Sequence, residues 1–452
     1  MTMNTTQQRL RTWRERCLEQ IGSISPIKTF GRVREVNGIL VKSSLPGATI
    51  GELCNIALHD GKHVLAEVIG FNQQEAILSA LGGIEGVQLG NLVEPLGHAH
   101  RVSVSDALLG SVLDGFGRPL DGNGVSAFAT RTATSSVDVI NAVQVPTSRP
   151  RITEKLLTGL RALDGPLTLG KGQRVGIFAG AGCGKTTLIA EIARNVDCDV
   201  IVFGMVGERG RELREFLDYE LDEELRAKSI VVCATSDRSS MERSRAAFTA
   251  TAIAEDFRRR GKHVLLLIDS LTRYARAQRE IGLAAGEPLG RGGLPPSVYS
   301  MLPRLLERAG LDSNGAISAI YTVLIEQDSM NDPVADEVRS LIDGHIVLSR
   351  KLADQGHYPA INVLASLSRT QSNVVDEAHL NVGYRLRQLL SAYEDVELMV
   401  KLGEYRPGHQ PLTDLAVNSR NNVMAFLRQA SRVPSPLETT LQQLLELTAH
   451  VQ

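Results

Sequence analysis

The sequence predicts an α/β fold with a parallel sheet, preceded by a small β-barrel and followed by a helical region. Three observations support this prediction. From Gln173 onward, apolar strand-like runs alternate with helical stretches, which is the pattern of βα units in a parallel sheet. Between residues 29 and 95 the runs are short and alternate in hydrophobicity. After Arg369 the strand-like runs stop and helical spacing takes over.

Length and composition favour a globular intracellular protein. At about 150 residues per domain, the 452 residues allow two to four domains. Lys plus Arg (49) nearly balance Asp plus Glu (51), so no overall basic field points to nucleic acid or to an anionic membrane. The five cysteines are an odd number and include no C-x-x-C pair, so neither a disulfide framework nor a zinc site is indicated, and reduced thiols are favoured. With no long apolar run in the sequence, we expect a cytoplasmic protein.

The chain begins with a short basic segment of helical spacing. Within residues 6–21, Leu10, Trp13, Cys17 and Ile21 fall on one helical face, with arginines beside it. Such a helix either docks on a partner or an anionic surface, or packs on its own domain. Both interpretations stay open, because short terminal helices are marginal alone. We assign residues 1–24 to this helix.

Three domains follow. Residues 25–97 form the predicted barrel, with turn signals such as Asn37-Gly38 between its strands. The predicted α/β domain with the parallel sheet spans residues 98–370. Residues 120–150 carry no clear period and are interpreted as a linker. Helices are expected at 381–403 and 422–430 in the C-terminal helical domain, residues 371–452.

A phosphate-binding loop follows the strand that ends at Ala179. Glycines let backbone N–H groups turn toward phosphate oxygens, and the helix after the loop adds positive potential. In this pattern Lys185 reaches the β- and γ-phosphates and Thr186 ligates Mg²⁺. Ala179 stands where the strict pattern has Gly, a position that shapes the turn. The candidate nucleotide-binding residues of the loop are Gly180, Ala181, Gly182, Cys183, Gly184, Lys185, Thr186 and Thr187.

Two carboxylates end other apolar strands of the same sheet. Asp269 follows HVLLLI and is a candidate Mg²⁺ ligand together with Thr186; the alternative is a helix N-cap formed by Asp269 or Ser270. Glu208 lies where open α/β sheets bind ligands, so it is a candidate to polarise the attacking water. Its neighbour Arg209 is a candidate to pair with Glu208 or with phosphate. The alternative is that the segment GERGRE is a solvated turn.

Taken together, these residues resemble the catalytic subunits of the rotary ATP synthase superfamily, and most closely the ATPases of bacterial type III secretion systems. The resemblance covers nearly the whole chain. It rests on LLGSVLDGFGRPLDG (108–122), TGLRALDG (158–165), FAGAGCGKTT (178–187), VGERGREL (206–213), the segment 247–288, DEVRSLIDGHIVLSRKLA (336–353) and PAINVLASLS (359–368).

The resemblance implies a RecA-like P-loop ATPase domain between the barrel and the helical domain, arranged as a homohexamer that hydrolyses ATP with Mg²⁺. It assigns the general base to Glu208, the Walker B aspartate to Asp269 and the arginine after the base to Arg209. It also assigns the adenine-packing aromatic to Tyr358, and to Arg369 the arginine finger that enters the neighbouring subunit's site. Hydrolysis would then depend on assembly.

The resemblance also implies a place and partners. These are stator and stalk proteins of the secretion apparatus, chaperone–effector complexes, and peripheral association with the export gate at the inner membrane. The segment MNDPVADEVRS (330–340) resembles that of secretion ATPases, and the DEVRS segment and GAGCGKTT loop favour the injectisome branch over flagellar export. The chain departs from the family at Asn362, where Asp is frequent, and at Gln410, where a G-x-D motif is frequent.

The sequence disfavours two other classes of function. RecA-like hexamers with a small barrel include an RNA-translocating terminator. Here aromatic residues make up only 4% of the chain and the barrel lacks a stacking surface, so no nucleic-acid partner is expected. A purely structural nucleotide-binding ring subunit is disfavoured because Lys185 and Glu208 occur together, and a structural site needs no base.

Overall fold

The computed structural model describes residues 13–14, 29–73, 75–120, 135–143, 147, 149–325, 332–408 and 410–451. It divides into two compact units, Met1–Ala99 and His100–Gln452. Nearly all of the predicted N-terminal helix, and the start of the segment 330–340, lie outside the described residues. In the part of the chain described, no helix is both long and apolar enough to cross a membrane.

The first unit contains a closed antiparallel barrel, which confirms the predicted barrel. Its strands are ordered β1-β2-β5-β4-β3-β6. Their bounds are β1 Gly31–Asn37, β2 Leu40–Ser44, β3 Glu52–Ala57, β4 His63–Asn72, β5 Glu75–Ala80 and β6 Leu92–Ala99. Strand β3 was not predicted from the sequence, because Leu53 and Cys54 are both buried and interrupt the expected alternation.

The second unit is built on the predicted parallel sheet, which is confirmed. Its strands are ordered β19-β18-β12-β17-β15-β13-β14-β8, and the short β16 pairs with β17. All neighbours along this order are parallel except β18 and β19. The bounds are β8 Val112–Asp114, β12 Arg174–Ala179, β13 Val200–Val206, β14 Ser229–Ala234, β15 His263–Asp269, β16 Gly310–Leu311, β17 Ala316–Leu324, β18 Gly344–Leu348 and β19 Ile361–Ser368.

Helices cover both faces of this sheet. Two hydrophobic clusters, one on each face, take alternate residues of the same strands; Val202 lies in one and Phe203 in the other. The helices are α1 Arg161–Asp164, α2 Lys185–Asn195, α3 Gly210–Glu215, α4 Glu223–Ala227, α5 Ser240–Arg259, α6 Leu271–Ala284, α7 Pro296–Leu306, α8 Pro333–Leu341 and α9 Arg350–Asp354.

Part of the predicted linker is ordered instead. Residues Ser135–Asp138 form β9, which pairs with β7 (Arg101–Val104), and β10 (Lys155–Leu156) pairs with β11 (Leu169–Gly170). The linker interpretation was therefore wrong for Ser135–Asp138, because this short polar strand is stabilised by its partner and not by its own periodicity. An Arg101–Asp138 ion pair of 2.7 Å crosses the ribbon.

The C-terminal region is helical, as predicted, but its helix bounds differ. The helices are α10 Gln371–Val374, α11 Glu377–Leu402, α12 Pro411–Leu427 and α13 Leu437–Thr448. The predicted helix at 422–430 was wrong at both ends. Pro411 lies in the first turn, where proline is tolerated. Gln429 leaves the helix because its backbone N–H donates to the carbonyl of Tyr358, 2.9 Å away.

Candidate active site

The phosphate-binding loop lies between β12 and α2. Gly182 and Gly184 both have left-handed backbone conformations, with φ of 81° and 80°, which glycine adopts without strain. The side chain of Cys183 is buried, so the loop presents its backbone to the pocket. Ala179 is the last residue of β12, where its backbone carbonyl accepts from Ile325. A side chain is acceptable at this strand position, which explains why the missing glycine leaves the loop intact.

The loop lysine contacts the carboxylate that ends β15. Lys185 Nζ donates to Asp269 Oδ1, and Thr322 Oγ1 on the intervening strand β17 donates to the same oxygen over 2.6 Å. The side chains of Asp269 and Lys185 are only 5% and 12% exposed. Burying an unpaired carboxylate would be costly, and the contacts with Lys185 and Thr322 offset that cost at Asp269.

Glu208 follows β13 and lies beside the same lysine. Its Oε1 is 3.5 Å from Lys185 Nζ and forms an ion pair with Arg273. Its other oxygen, Oε2, is buried and accepts no hydrogen bond from the residues described. In a carboxylate whose first oxygen is held by cations, a second oxygen that has no hydrogen-bond donor can accept a proton from a water molecule.

Arg273 also belongs to this cluster, although it was not predicted from the sequence. It lies in the first turn of α6, one turn after Asp269, so its side chain returns toward the strand ends. Burial lowers its pKa from the ordinary value. By contrast, Arg209 pairs with Glu212 at 3.7 Å, and its side chain is 79% exposed. Arg273, and not Arg209, is therefore the arginine that pairs with Glu208 in this structure.

The residues predicted to hold Mg²⁺ fit that ion. Thr186 and Asp269 line one cavity of about 320 Å³ together with Glu208. Within the described residues there is no cluster of three or more His, Cys, Asp or Glu side chains placed to hold a metal. Mg²⁺ bound with nucleotide needs few protein ligands, because phosphate oxygens and water complete its octahedron. Ser270 also caps α6 by accepting from Arg273 N, so the two sequence interpretations are compatible.

A larger, mostly apolar pocket opens beside the loop. It measures about 590 Å³ and is lined by Gly182, Gly184, Thr187 and Leu188 on one side and by Tyr358 and Pro359 on another. The Tyr358 ring packs so close to Gly184 that an added Cβ would lie 3.3 Å from it. Residues 428–431 form a further wall. This contribution was not predicted from the sequence, because these residues are distant from the loop along the chain and carry no motif.

The remaining predicted residues lie apart from this cluster. Arg369 is exposed just beyond β19, with its backbone N–H donating to Asp343 O over 2.9 Å. Asn362 accepts from Ala365 N, a bond that Asp would also form. Gln410 accepts from Thr413 at the start of α12.

Arg350 lies beside the phosphate-binding loop and was not predicted from the sequence. Its guanidinium lies 3.5 Å from the carbonyl of Ala181 in the loop.

Comparisons with known proteins agree with this fold. Residues 159–368 match the nucleotide-binding domain of the ATP synthase alpha/beta family, residues 33–97 its beta-barrel domain, and residues 375–446 the C-terminal domain of the T3SS EscN ATPase. A "Type 3 secretion system ATPase" from Pseudomonas syringae pv. tomato is 62% identical, covering 98% of this chain and 99% of that protein. A "Flagellum-specific ATP synthase" from Bacillus subtilis is 44% identical, covering 96% and 98%.

Solved structures are similar over almost the same span. The assembled ATPase EscN from the enteropathogenic E. coli type III secretion system has a TM-score of 0.87 and 44% identity, covering 92% of this chain and 100% of that one. EscN in complex with its central stalk EscO has a TM-score of 0.84 and 42% identity, with the same coverage.

Proposed function

Because the chain belongs to the family of type III secretion system ATPases, we propose that it hydrolyses Mg-ATP as a homohexameric ring and thereby releases and unfolds chaperone-bound substrates for export. The observation that carries the catalytic part is the contact of Lys185 with both Glu208 and Asp269, which lie at the carboxyl ends of the neighbouring strands β13 and β15. Ligands of open α/β sheets bind at this edge.

Nucleotide binding uses both parts of the site. The phosphates lie against the loop 180–187, where backbone amides and the start of α2 favour anions. The adenine ring of the nucleotide enters the pocket of about 590 Å³, where it meets the ring of Tyr358 and an apolar lining. Mg²⁺ held by Thr186 and Asp269 would neutralise charge on the phosphate oxygens.

Hydrolysis then needs a base and cationic groups. Glu208 Oε2 accepts a proton from water as the water oxygen bonds to the γ-phosphorus. The bond from that phosphorus to the bridging oxygen breaks, leaving ADP and phosphate. Lys185 turns from Asp269 to the β- and γ-phosphates. Arg273, which pairs with Glu208, lies close enough to stabilise the negative charge that develops on the transferred phosphoryl group.

A neighbouring subunit completes the site. Arg369 is exposed, and its contacts are with Asp343 and Arg339, away from the cluster around Lys185. An exposed arginine at a fixed backbone position is suited to reach the γ-phosphate of the next copy in a ring. Hydrolysis would therefore depend on assembly.

The proposal also includes partners from the secretion apparatus. At the end of α11, Leu398, Met399 and Leu402 are 69%, 52% and 63% exposed, and an apolar tip of this kind suits a stalk protein. Stator proteins, chaperone–effector complexes and a cytoplasmic position at the inner-membrane export gate complete the proposal. It also retains the division into residues 1–24, 25–97, 98–370 and 371–452.

Flagellar protein export is the second candidate, because the flagellum-specific relative is also similar along the chain. The higher identity to the secretion ATPase, 62% against 44%, favours the injectisome branch. An RNA-translocating hexamer is the weakest alternative, and hydrolysis stimulated by RNA would revive it.

We expect Mg-ATP turnover per chain to rise with protein concentration, because isolated chains lack the neighbour's arginine. The measurement is phosphate release over a wide concentration range, with sedimentation at the same concentrations to follow assembly. Turnover that is constant per chain while the sedimentation coefficient increases would contradict the ring mechanism. Absence of turnover from sedimenting rings would contradict the ATPase assignment.

A further inference from the structure

We propose that Glu191 and Gln429 are positioning residues, which hold the wall formed by residues 428–431 against the base of the bound nucleotide. This inference rests on the proposed function, since it assumes that the pocket of about 590 Å³ receives the base. The wall belongs to the connection between α12, which ends at Leu427, and α13, which begins at Leu437. Its place beside the phosphate-binding loop therefore has to be fixed by long-range contacts.

Gln429 makes the first set of these contacts. Its Oε1 accepts from Arg161 N over 3.0 Å, and its Nε2 donates to the carbonyls of Gly159 at 2.8 Å and Val433 at 2.7 Å. Its backbone N–H donates to Tyr358 O at 2.9 Å. One residue thus joins the wall to the turn 159–161 and to the aromatic residue on the opposite side of the pocket.

The turn that receives Gln429 is itself rigid. Asp164 is buried, and its carboxylate accepts from Thr158 N, Thr158 Oγ1 and Gly159 N over 2.8–2.9 Å. Ser435 N donates to the carbonyl of Gly159, which adds a second bond between this turn and the connection. The anchor point of Gln429 is therefore fixed before nucleotide arrives.

Glu191 holds the other end of the wall. It lies on α2, the helix that begins at Lys185, and is 6% exposed. Its Oε1 accepts from Ser431 Oγ at 2.7 Å, and its carboxylate accepts from Arg432 N at 3.0–3.1 Å. Arg194 donates to the same carboxylate over 2.8 Å.

The contact with Arg432 fixes an unusual backbone. Arg432 has φ of 63°, a left-handed conformation that residues with a Cβ rarely adopt. A charge-assisted hydrogen bond to its N–H favours that conformation. Because Glu191 lies on the helix that starts at the phosphate-binding loop, it ties the wall for the base to the residues that bind phosphate.

The residues that position the wall for the adenine ring are different from the residues that hydrolyse ATP. Glu191 contacts the wall and Gln429, which is part of it, anchors it to Gly159, whereas Glu208 and Asp269 lie at the ends of β13 and β15. Loss of either positioning residue should let the wall move away from the base. We expect weaker nucleotide binding with near-normal turnover at saturation.

The test compares Glu191→Ala and Gln429→Leu with the matched controls Glu446→Ala and Gln442→Leu, an exposed pair on α13. In the first two variants we expect ADP affinity, measured by calorimetry, to fall and the KM for ATP to rise by about tenfold, as loss of the hydrogen bonds that hold the wall implies. The kcat should change by less than about twofold. Glu191→Gln should recover part of the affinity.

Inorganic tripolyphosphate provides the second measurement, because it binds the loop but has no base. Its inhibition constant should be unchanged in all variants. ADP affinity equal to wild type in Glu191→Ala and Gln429→Leu would overturn the inference, as would an equal loss for ADP and tripolyphosphate. If Glu191→Ala does not fold, Ser431→Ala removes a bond to the same carboxylate and is judged by the same criteria. Wild-type protein that fails to bind ADP would contradict the proposed function itself.

Discussion

Replacing Glu208 with glutamine is expected to reduce ATP turnover by at least about 10³-fold while ADP still binds, since the amide cannot take a proton from water. The substitution keeps the shape of a side chain that is 7% exposed, so the loop and Asp269 should stay in place. The loss should appear in kcat and not in nucleotide affinity. Phosphate release and ADP calorimetry on the same preparation separate the two.

A matched control is Glu223→Gln, because Glu223 is an exposed glutamate at the start of α4. It should hydrolyse ATP at the wild-type rate. Turnover retained by Glu208→Gln would assign the base elsewhere. Loss of ADP binding in that variant would instead mean that the carboxylate supports the loop, since Lys185 Nζ lies 3.5 Å from it.

Replacing Arg369 with alanine is expected to lower kcat by about 10³-fold, the usual effect of an arginine that stabilises charge on the transferred phosphoryl group. The exposed side chain can be removed without leaving a cavity. ADP affinity should be unchanged because Arg369 lies away from the nucleotide pocket of its own chain. Arg369→Lys should recover only part of the rate, since an ammonium lacks the planar fork of guanidinium.

Arg151→Ala provides the control for removal of an exposed arginine in the same unit, and it should keep the wild-type rate. The measurement is phosphate release at a protein concentration where sedimentation shows full assembly. If Arg369→Ala fails to assemble, its low rate would report on the interface and not on the phosphoryl group. A wild-type rate in assembled Arg369→Ala would remove Arg369 from the mechanism.

The sequence predicted the parts of the site that depend on local order along the chain. Lys185 and Thr186 follow a strand and a glycine loop, and Asp269 and Glu208 end apolar strands. Because parallel strands present their carboxyl ends at one edge, their proximity followed from the pattern. The proximity of Arg273 to this cluster could have been predicted in the same way, since Arg273 lies one helical turn after Asp269.

The missed features depend on contacts between distant segments. Gln429 ends α12 by bonding to Tyr358 and to the turn at Gly159, and no local signal marks those partners. Ser135–Asp138 became a strand only through pairing with β7. The wall of the pocket and the ordered part of the predicted linker thus depend on tertiary contacts. Hydrophobic periodicity within one segment does not reveal such contacts.

The most direct test of the account is to mix the Glu208→Gln and Arg369→Ala proteins, each nearly inactive alone. In mixed rings, an Arg369→Ala chain keeps its base and a Glu208→Gln neighbour supplies the arginine. With random mixing at equal amounts, the account predicts recovery of roughly a quarter of the wild-type rate, because one interface in four is complete in a closed ring. Mixed rings that form, by co-purification of two tags, but stay inactive would contradict a site shared between subunits.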